Sequence, residues 1–116
     1  MDIEGLQVTL REFAEARAWD SFHNPKNLAM ALSVEAGELV EIFQWLTDDE
    51  AAVVSGNEAL KHRVSEELAD VMLYLVRLAD KTNIDLELAV RQKLVKNAEK
   101  YPVDRVYGSA KKYTEY

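Results

Sequence analysis

"LSVEAGELVEIFQW", residues 32–45, and "SEELADVMLYLV", residues 65–76, decide how this chain folds. Both stretches carry apolar residues at helical spacing, and both set carboxylates among them: Glu35 and Glu38 in the first, Glu67 and Asp70 in the second. A helix advances about 100° per residue. With Leu28 at zero, Leu32 falls at about 40°, Leu39 at about 20° and Ile42 at about −40°, which makes one apolar stripe. Glu35 falls at about −20°, inside that stripe, and Glu38 lies about a sixth of a turn further round, at its edge. Glu67 and Asp70 are three apart and share a face, with Val71, Tyr74 and Leu78 on the same side.

Working outward, the pattern predicts four main helices and an all-α fold, a four-helix bundle protomer. The first covers roughly Leu6 to Ser21, with Leu6, Leu10, Phe13 and Ala14 in phase. The second opens at "HNPKN", where Asn24 is a cap and Pro25 suits the first helical position, and it ends near "WLTDD". A linker follows, with a short helix expected after Asp48 and a break at Ser55-Gly56. The third helix runs from about Asn57 to Thr82. The fourth runs from a cap at Asp85 to about Lys100, stopped by Tyr101-Pro102. We expect residues 1–100 to form the domain. Residues 101–116 form a C-terminal tail that packs on the domain or on a neighbouring subunit.

The run "VMLYLV" is apolar on nearly every side, and such a helix must be buried all round. So small a protomer can hardly achieve that alone. We therefore expect an oligomer with a shared helical core, a homodimer or a homotetramer built as a dimer of dimers. A tilted central helix in a monomer is the plainer alternative.

The 116 residues suit one domain, and four glycines and two prolines suit a helical one. The formal charge of −7 argues against a nucleic-acid polymer or an anionic membrane as partner. No stretch approaches the ~20 apolar residues of a membrane span. The first residues, "MDIEGLQVTLREFAEA", lack the basic and apolar regions of a signal peptide. The chain has no cysteine, which excludes disulfides and thiolate metal sites and fits a cytoplasmic location.

Four carboxylates on two apolar faces need an explanation. Burying one ionised carboxylate unpaired costs several kcal/mol, and neighbouring acids repel one another. Paired cations, raised pKa values or a bound metal are the remedies, and Arg63 and Arg77 alone do not offset four acids. E-x-x-E on one helix facing E-x-x-D on another suits a hard divalent cation with all-oxygen ligands, Mg²⁺ or Mn²⁺. No histidine stands at the spacing that di-iron bundles use, and His23 and His62 are isolated, which disfavours zinc. Solvated or salt-bridged surface acids are the plain alternative.

Other residues could complete a site. Lys93, Asn97 and Lys100 recur at four and three and share a helix face; an ordinary solubilising face is the alternative. Trp19, Phe22, His23 and Trp45 are candidates for a flat apolar slot with a few polar groups, although each could simply pack or cap.

At these residues the sequence resembles the MazG-like nucleoside triphosphate pyrophosphohydrolases, and within them the dCTP pyrophosphatase branch. The resemblance is carried by "WDSFHNPKNLAMALSVEAGELVEIFQW", "EELADVMLYLVRLADKTNIDLELAV", "KNAEKYPV" and "GSAKKYTEY", nearly the whole chain. It implies Mg²⁺-dependent hydrolysis of a dNTP, dCTP or a modified dCTP first, to dNMP and pyrophosphate, a house-cleaning of the nucleotide pool. It implies metal ligands at Glu35, Glu38, Glu67 and Asp70. It implies phosphate and sugar contacts from Lys93, Asn97, Lys100 and Tyr101, and it strengthens His23 as a contact to base or phosphate. A carboxylate not fully engaged by metal, Glu38 or Glu41, would then take the proton of the attacking water. The rival readings are the same reaction on dUTP or another non-canonical nucleotide, and a non-enzymatic helical oligomer or adaptor.

Overall fold

The structure is a computed structural model that describes residues 1–109; the stretch 110–116, with most of "GSAKKYTEY" and the end of the expected tail, lies outside the described residues. The described residues are all-α. Six helices follow in order: α1 (Ile3–Ala16), α2 (Pro25–Phe43), α3 (Asp48–Ala52), α4 (Glu58–Lys81), α5 (Leu86–Lys100) and α6 (Val103–Val106), with 3-10 turns at Asp20–Phe22 and Val54–Gly56. The chain divides into two compact units, Met1–Asn83 and Ile84–Tyr116.

Local chemistry explains most of the boundaries. Asp2 caps α1 by accepting from the Gly5 amide. Asn24, Asn57 and Asp85 do the same for the amides of Asn27, Leu60 and Leu88, at the positions the sequence marks. Pro25 occupies the first turn of α2, where a missing amide hydrogen leaves nothing unsatisfied. The short α3 opens with a capping box: the Thr47 side chain accepts from the Glu50 amide, and the Glu50 carboxylate accepts from the Thr47 amide.

The first helix departs from expectation. It ends at Ala16 rather than near Ser21. Ala18 takes a left-handed φ of 53°, and the Trp19 amide donates back to the Ala14 carbonyl. That is the closure that ends many helices, normally with glycine in the left-handed position. No local signal marks Ala18 for this role. The termination turns Trp19 and the Asp20–Phe22 turn out of the helical path. At the other end of the described chain, α6 is a single turn after Pro102, where the sequence has no clear period.

In the first unit α4 packs against both α2 and α1. Leu28 and Ile42 of α2, Val76 and Ala79 of α4, and Ala14 of α1 are buried. Leu28, Ile42 and Ala14 are in-phase positions of the expected stripes, whereas Val76 and Ala79 lie about 180° and about 120° round α4 from Glu67, off the face that carries Val71, Tyr74 and Leu78. In the second unit α5 begins on its Asp85 cap and ends at Tyr101, whose amide donates to the Asn97 carbonyl.

Candidate metal centre and its neighbouring pocket

Glu35 and Glu38 stand one turn apart on α2, and Glu67 faces them from α4. One carboxylate oxygen from each of the three lies within 4.8 Å of the others, and all three side chains are half-buried. Oε2 of Glu35 and Oε2 of Glu67 are fully buried and have no hydrogen-bond partner. Burial is the first cause that pushes the Glu35 carboxyl up to about 7; hydrogen bonding with Glu38 and Glu67 and the charges of Glu38 and Asp70 add to it. Burial, then Glu38, raises the Glu67 carboxyl in the same direction.

An orphaned buried oxygen costs about 1–3 kcal/mol, more when charged. Two of them on residues of one acidic cluster are the feature that a hard cation resolves, because it takes only oxygen donors and removes the repulsion. The three glutamates therefore fit a divalent cation. Asp70 stands outside the 4.8 Å set and lines the pocket next to it. On the other side, Glu38, Glu41, Ile42, Arg63, Glu66 and Glu67 line a groove of about 230 Å³. Glu41 is exposed there, three residues past the Glu38 of the cluster on α2.

The pocket beside Asp70 has a volume of about 290 Å³ and an aromatic wall of Phe13, Trp19 and Tyr74. Phe13 and Trp19 meet edge to face with centroids 5.8 Å apart, and the His23 ring lies 6.3 Å from Trp19. Leu10 and Leu73 complete the apolar lining, and His23 and Arg77 supply polar groups. The early end of α1 builds this wall: the left-handed turn at Ala18 brings Trp19 beside Phe13, near the end of that helix.

Arg77 is 4 % exposed, the one charged side chain buried outright among the described residues. Its Nε donates to Nδ1 of His23 (3.2 Å), Nη2 to Asp20 (3.0 Å) and Nη1 to Asp80 (3.4 Å). Arg11 reaches Asp80 with two bonds of 2.7 Å, and Lys81 reaches Asp20 at 2.7 Å. The Arg11 bonds hold the Asp80 carboxyl below its ordinary value, and the Lys81 bond does the same for Asp20. His23 is lowered, first by burial and then by the charge of Arg77.

The pairings fix the helix direction. His23, just ahead of α2, meets Arg77 late in α4, Glu35 meets Glu67, and Glu41 shares a groove with Arg63, early in α4. The two helices run antiparallel.

The structure thus brings Glu35, Glu38 and Glu67 together, with Asp70 and His23 on the adjoining pocket. Trp45 is placed elsewhere. It lies 86 % exposed just past the end of α2, and the helix between it and His23 spans about 28 Å. Lys93, Asn97, Lys100 and Tyr101 belong to the second unit, on α5 and at its end; Lys93 and Asn97 are exposed and Lys100 is half-buried. Sequence reasoning set Arg77 against the acids of the cluster and missed its true partners. Only the spacing of Arg77 and Asp80, one turn apart, gave a sign; Asp20 and Arg11 are 57 and 69 residues from their partners.

Known proteins share these features of sequence and fold. A sequence model of the MazG-like family matches residues 30–116. The protein called dCTP pyrophosphatase 1 is 42 % identical over 113 residues in both Homo sapiens and Rattus norvegicus, covering 97 % of this chain and 66 % of theirs. This chain therefore spans just under two thirds of the length of those relatives. The crystal structure of a pyrophosphatase from Archaeoglobus fulgidus is 44 % identical, with a TM-score of 0.78 over 88 % of this chain and 94 % of that one. Three glutamates gathered from two antiparallel helices, and a match that takes in all of them, lead to one conclusion: the chain belongs to the MazG-like family.

Proposed function

We propose that this protein is a divalent-cation-dependent nucleoside triphosphate pyrophosphohydrolase that converts a dNTP, dCTP or a modified dCTP first, to dNMP and pyrophosphate. The carrying observation is the cluster of Glu35, Glu38 and Glu67, three carboxylate oxygens within 4.8 Å, two of the residues each with an orphaned buried oxygen. The names of its relatives, dCTP pyrophosphatase 1 and a pyrophosphatase, support both the reaction and the substrate.

Glu35, Glu38 and Glu67 would hold the ion, with Asp70 as the fourth acid; all-oxygen donors favour Mg²⁺, with Mn²⁺ as the alternative. When bound, such an ion neutralises triphosphate charge and acts as a Lewis acid toward phosphoryl oxygens. The chain's own residues do the rest. Glu38 or Glu41, at the edge of the cluster, accepts the proton of the attacking water as the bond between the leaving pyrophosphate and the nucleotide breaks. The wall of Phe13, Trp19 and Tyr74 takes the flat base, and His23 gives it a polar contact. We assign phosphate and sugar contacts to Lys93, Asn97, Lys100 and Tyr101, on the strength of their shared face on α5 and of the family resemblance.

The same reading includes a bundle of four main helices, α1, α2, α4 and α5, assembled as a homodimer or homotetramer. Few side chains are buried outright in the protomer. Met30 and Val34, one turn apart on the face of α2 away from the seam, are 58 % and 59 % exposed. Chains this small bury a modest share of their surface alone, and a second copy over that face would add to it. In such an assembly Trp45 meets a base only by reaching another copy's pocket.

Product analysis tests the activity. Each dNTP and NTP is offered with Mg²⁺, and pyrophosphate is resolved from orthophosphate by phosphorus NMR, with Glu38→Ala run in parallel. Pyrophosphate plus dNMP, lost in the variant, is the expected result. No product from any nucleotide with folded protein would sink the proposal. Sedimentation analysis tests the assembly, and a monomer would refute that part.

A further inference from the structure

We propose that Arg77 is a positioning residue that fixes His23 as the Nε2–H tautomer, so that the pocket presents one hydrogen-bond donor, and no acceptor, from this imidazole to an acceptor atom of the nucleotide. The inference rests on the proposed nucleotide site and assigns a role within it.

The argument starts from the donor count. A guanidinium carries only donors and keeps its charge at any ordinary pH. Arg77 Nε points its hydrogen at Nδ1 of His23, 3.2 Å away. That nitrogen must therefore be the acceptor, which leaves the ring proton on Nε2. The assignment follows from the partner's chemistry and not from a hydrogen position.

Arg77 is itself held. It is buried, and Asp20 and Asp80 engage its two terminal nitrogens from the turn before α2 and from its own helix. Arg11 and Lys81 in turn brace those carboxylates from α1 and α4. Four charged side chains thus hold the guanidinium, two by direct bonds and two through those aspartates, and its Nε meets a histidine lining the pocket. Nε2 of His23 has no hydrogen bond among the described residues, and it is the ring nitrogen left for a ligand. A doubly protonated ring would place a second N–H against Arg77 Nε, two donors facing each other. A purely structural clamp would need only the two aspartates.

The protein holds two histidines, so the test is direct. Long-range proton–nitrogen NMR on the full chain, with His62→Gln for assignment, reads both ring nitrogens of His23 near neutral pH. The expected result is an unprotonated Nδ1 and a protonated Nε2. A protonated Nδ1 in the unmodified protein overturns the proposal, and this readout needs no variant at Arg77 to fold. Adding α,β-methylene dCTP with Mg²⁺ should shift Nε2 more than Nδ1; equal or reversed shifts overturn it.

Kinetics supply the second arm. Arg77→Met should mix the tautomers and raise KM about five- to ten-fold, the size of one lost hydrogen bond, with kcat within about two-fold. His23→Leu should do the same, and the double variant should be no worse than His23→Leu alone, because Arg77 acts through His23. Additive losses, or a fall in kcat with unchanged KM, would refute the role. The resting NMR decides the pairing whether or not any nucleotide is hydrolysed, whereas product analysis decides the activity independently.

Discussion

Two charged clusters share the helix α4, one completed from α2 and the other from α1 and the turn before α2, and they resolve burial in opposite ways. At Glu35, Glu38 and Glu67 only acids converge, two oxygens are orphaned, and the Glu35 carboxyl stands at about 7. Around Arg77, acids and bases alternate, and the bonds from Arg11 and Lys81 hold Asp80 and Asp20 below their ordinary values. Both clusters contain carboxylates; their partners differ. A buried charge that has its counter-charge within the chain is structure, whereas one that lacks it is held ready for something from outside.

The largest effect should separate the clusters by what is lost. Glu67→Gln or Glu38→Ala is expected to lower kcat by about 10²–10³-fold, the order of a several-kcal/mol Lewis-acid contribution. The metal-free fold should stay intact, because an uncompensated acid has been removed; a matching fall in stability would mean that these acids are structural. Arg77→Met is the mirror experiment. It leaves Asp80 and Asp20 short of a partner and should destabilise the fold by about 2–4 kcal/mol, discounted from the fully buried case because Asp20 is solvent-exposed. Urea unfolding measures this, and a change below about 0.5 kcal/mol would make the network ornamental.

The pH dependence sharpens the contrast. Glu35 has a folded pKa raised from 4.5 to about 7. Between those values the folded chain keeps a proton that the unfolded chain releases, so this group's contribution is full below 4.5, falls as pH rises, and is lost above 7. Asp20 and Asp80 have the opposite sign: their contribution is present above 3.8 and is lost as pH falls through their depressed values. The melting temperature in EDTA should therefore decline from the mildly acidic range toward pH 7, and Mg²⁺ should remove that decline by binding the ionised cluster. A flat profile in EDTA would break the comparison. A smaller effect belongs to neither cluster: Thr47→Ala should cost about 1 kcal/mol through the lost α3 cap. The smallest should come from Glu87→Ala, which breaks an exposed pair with Arg91 for at most a few tenths of a kcal/mol.

Much of the molecule was legible in one dimension. Asn24-Pro25, Asn57 and Asp85 mark helix starts because a cap acts on amides two or three residues away. Glu35 was legible as anomalous because its angle on the helix follows from residue count alone. The partner helix followed from a second carboxylate pair at the same spacing. The end of α1 was not legible, because Ala18 carries no preference for the left-handed turn it makes.

The sequence by itself determined the helices, the stripe and the oxygen donors, since all three depend on intervals of three or four residues. Only the tertiary structure decided which donors meet. It drew Glu35, Glu38 and Glu67 within 4.8 Å while leaving Asp70 to the pocket. It gave Arg77 to His23, Asp20 and Asp80 instead of to the glutamates, and it left Trp45 far from the aromatic wall. Local periodicity says which face a side chain occupies; how two faces pair along their length is settled by packing between residues dozens of positions apart.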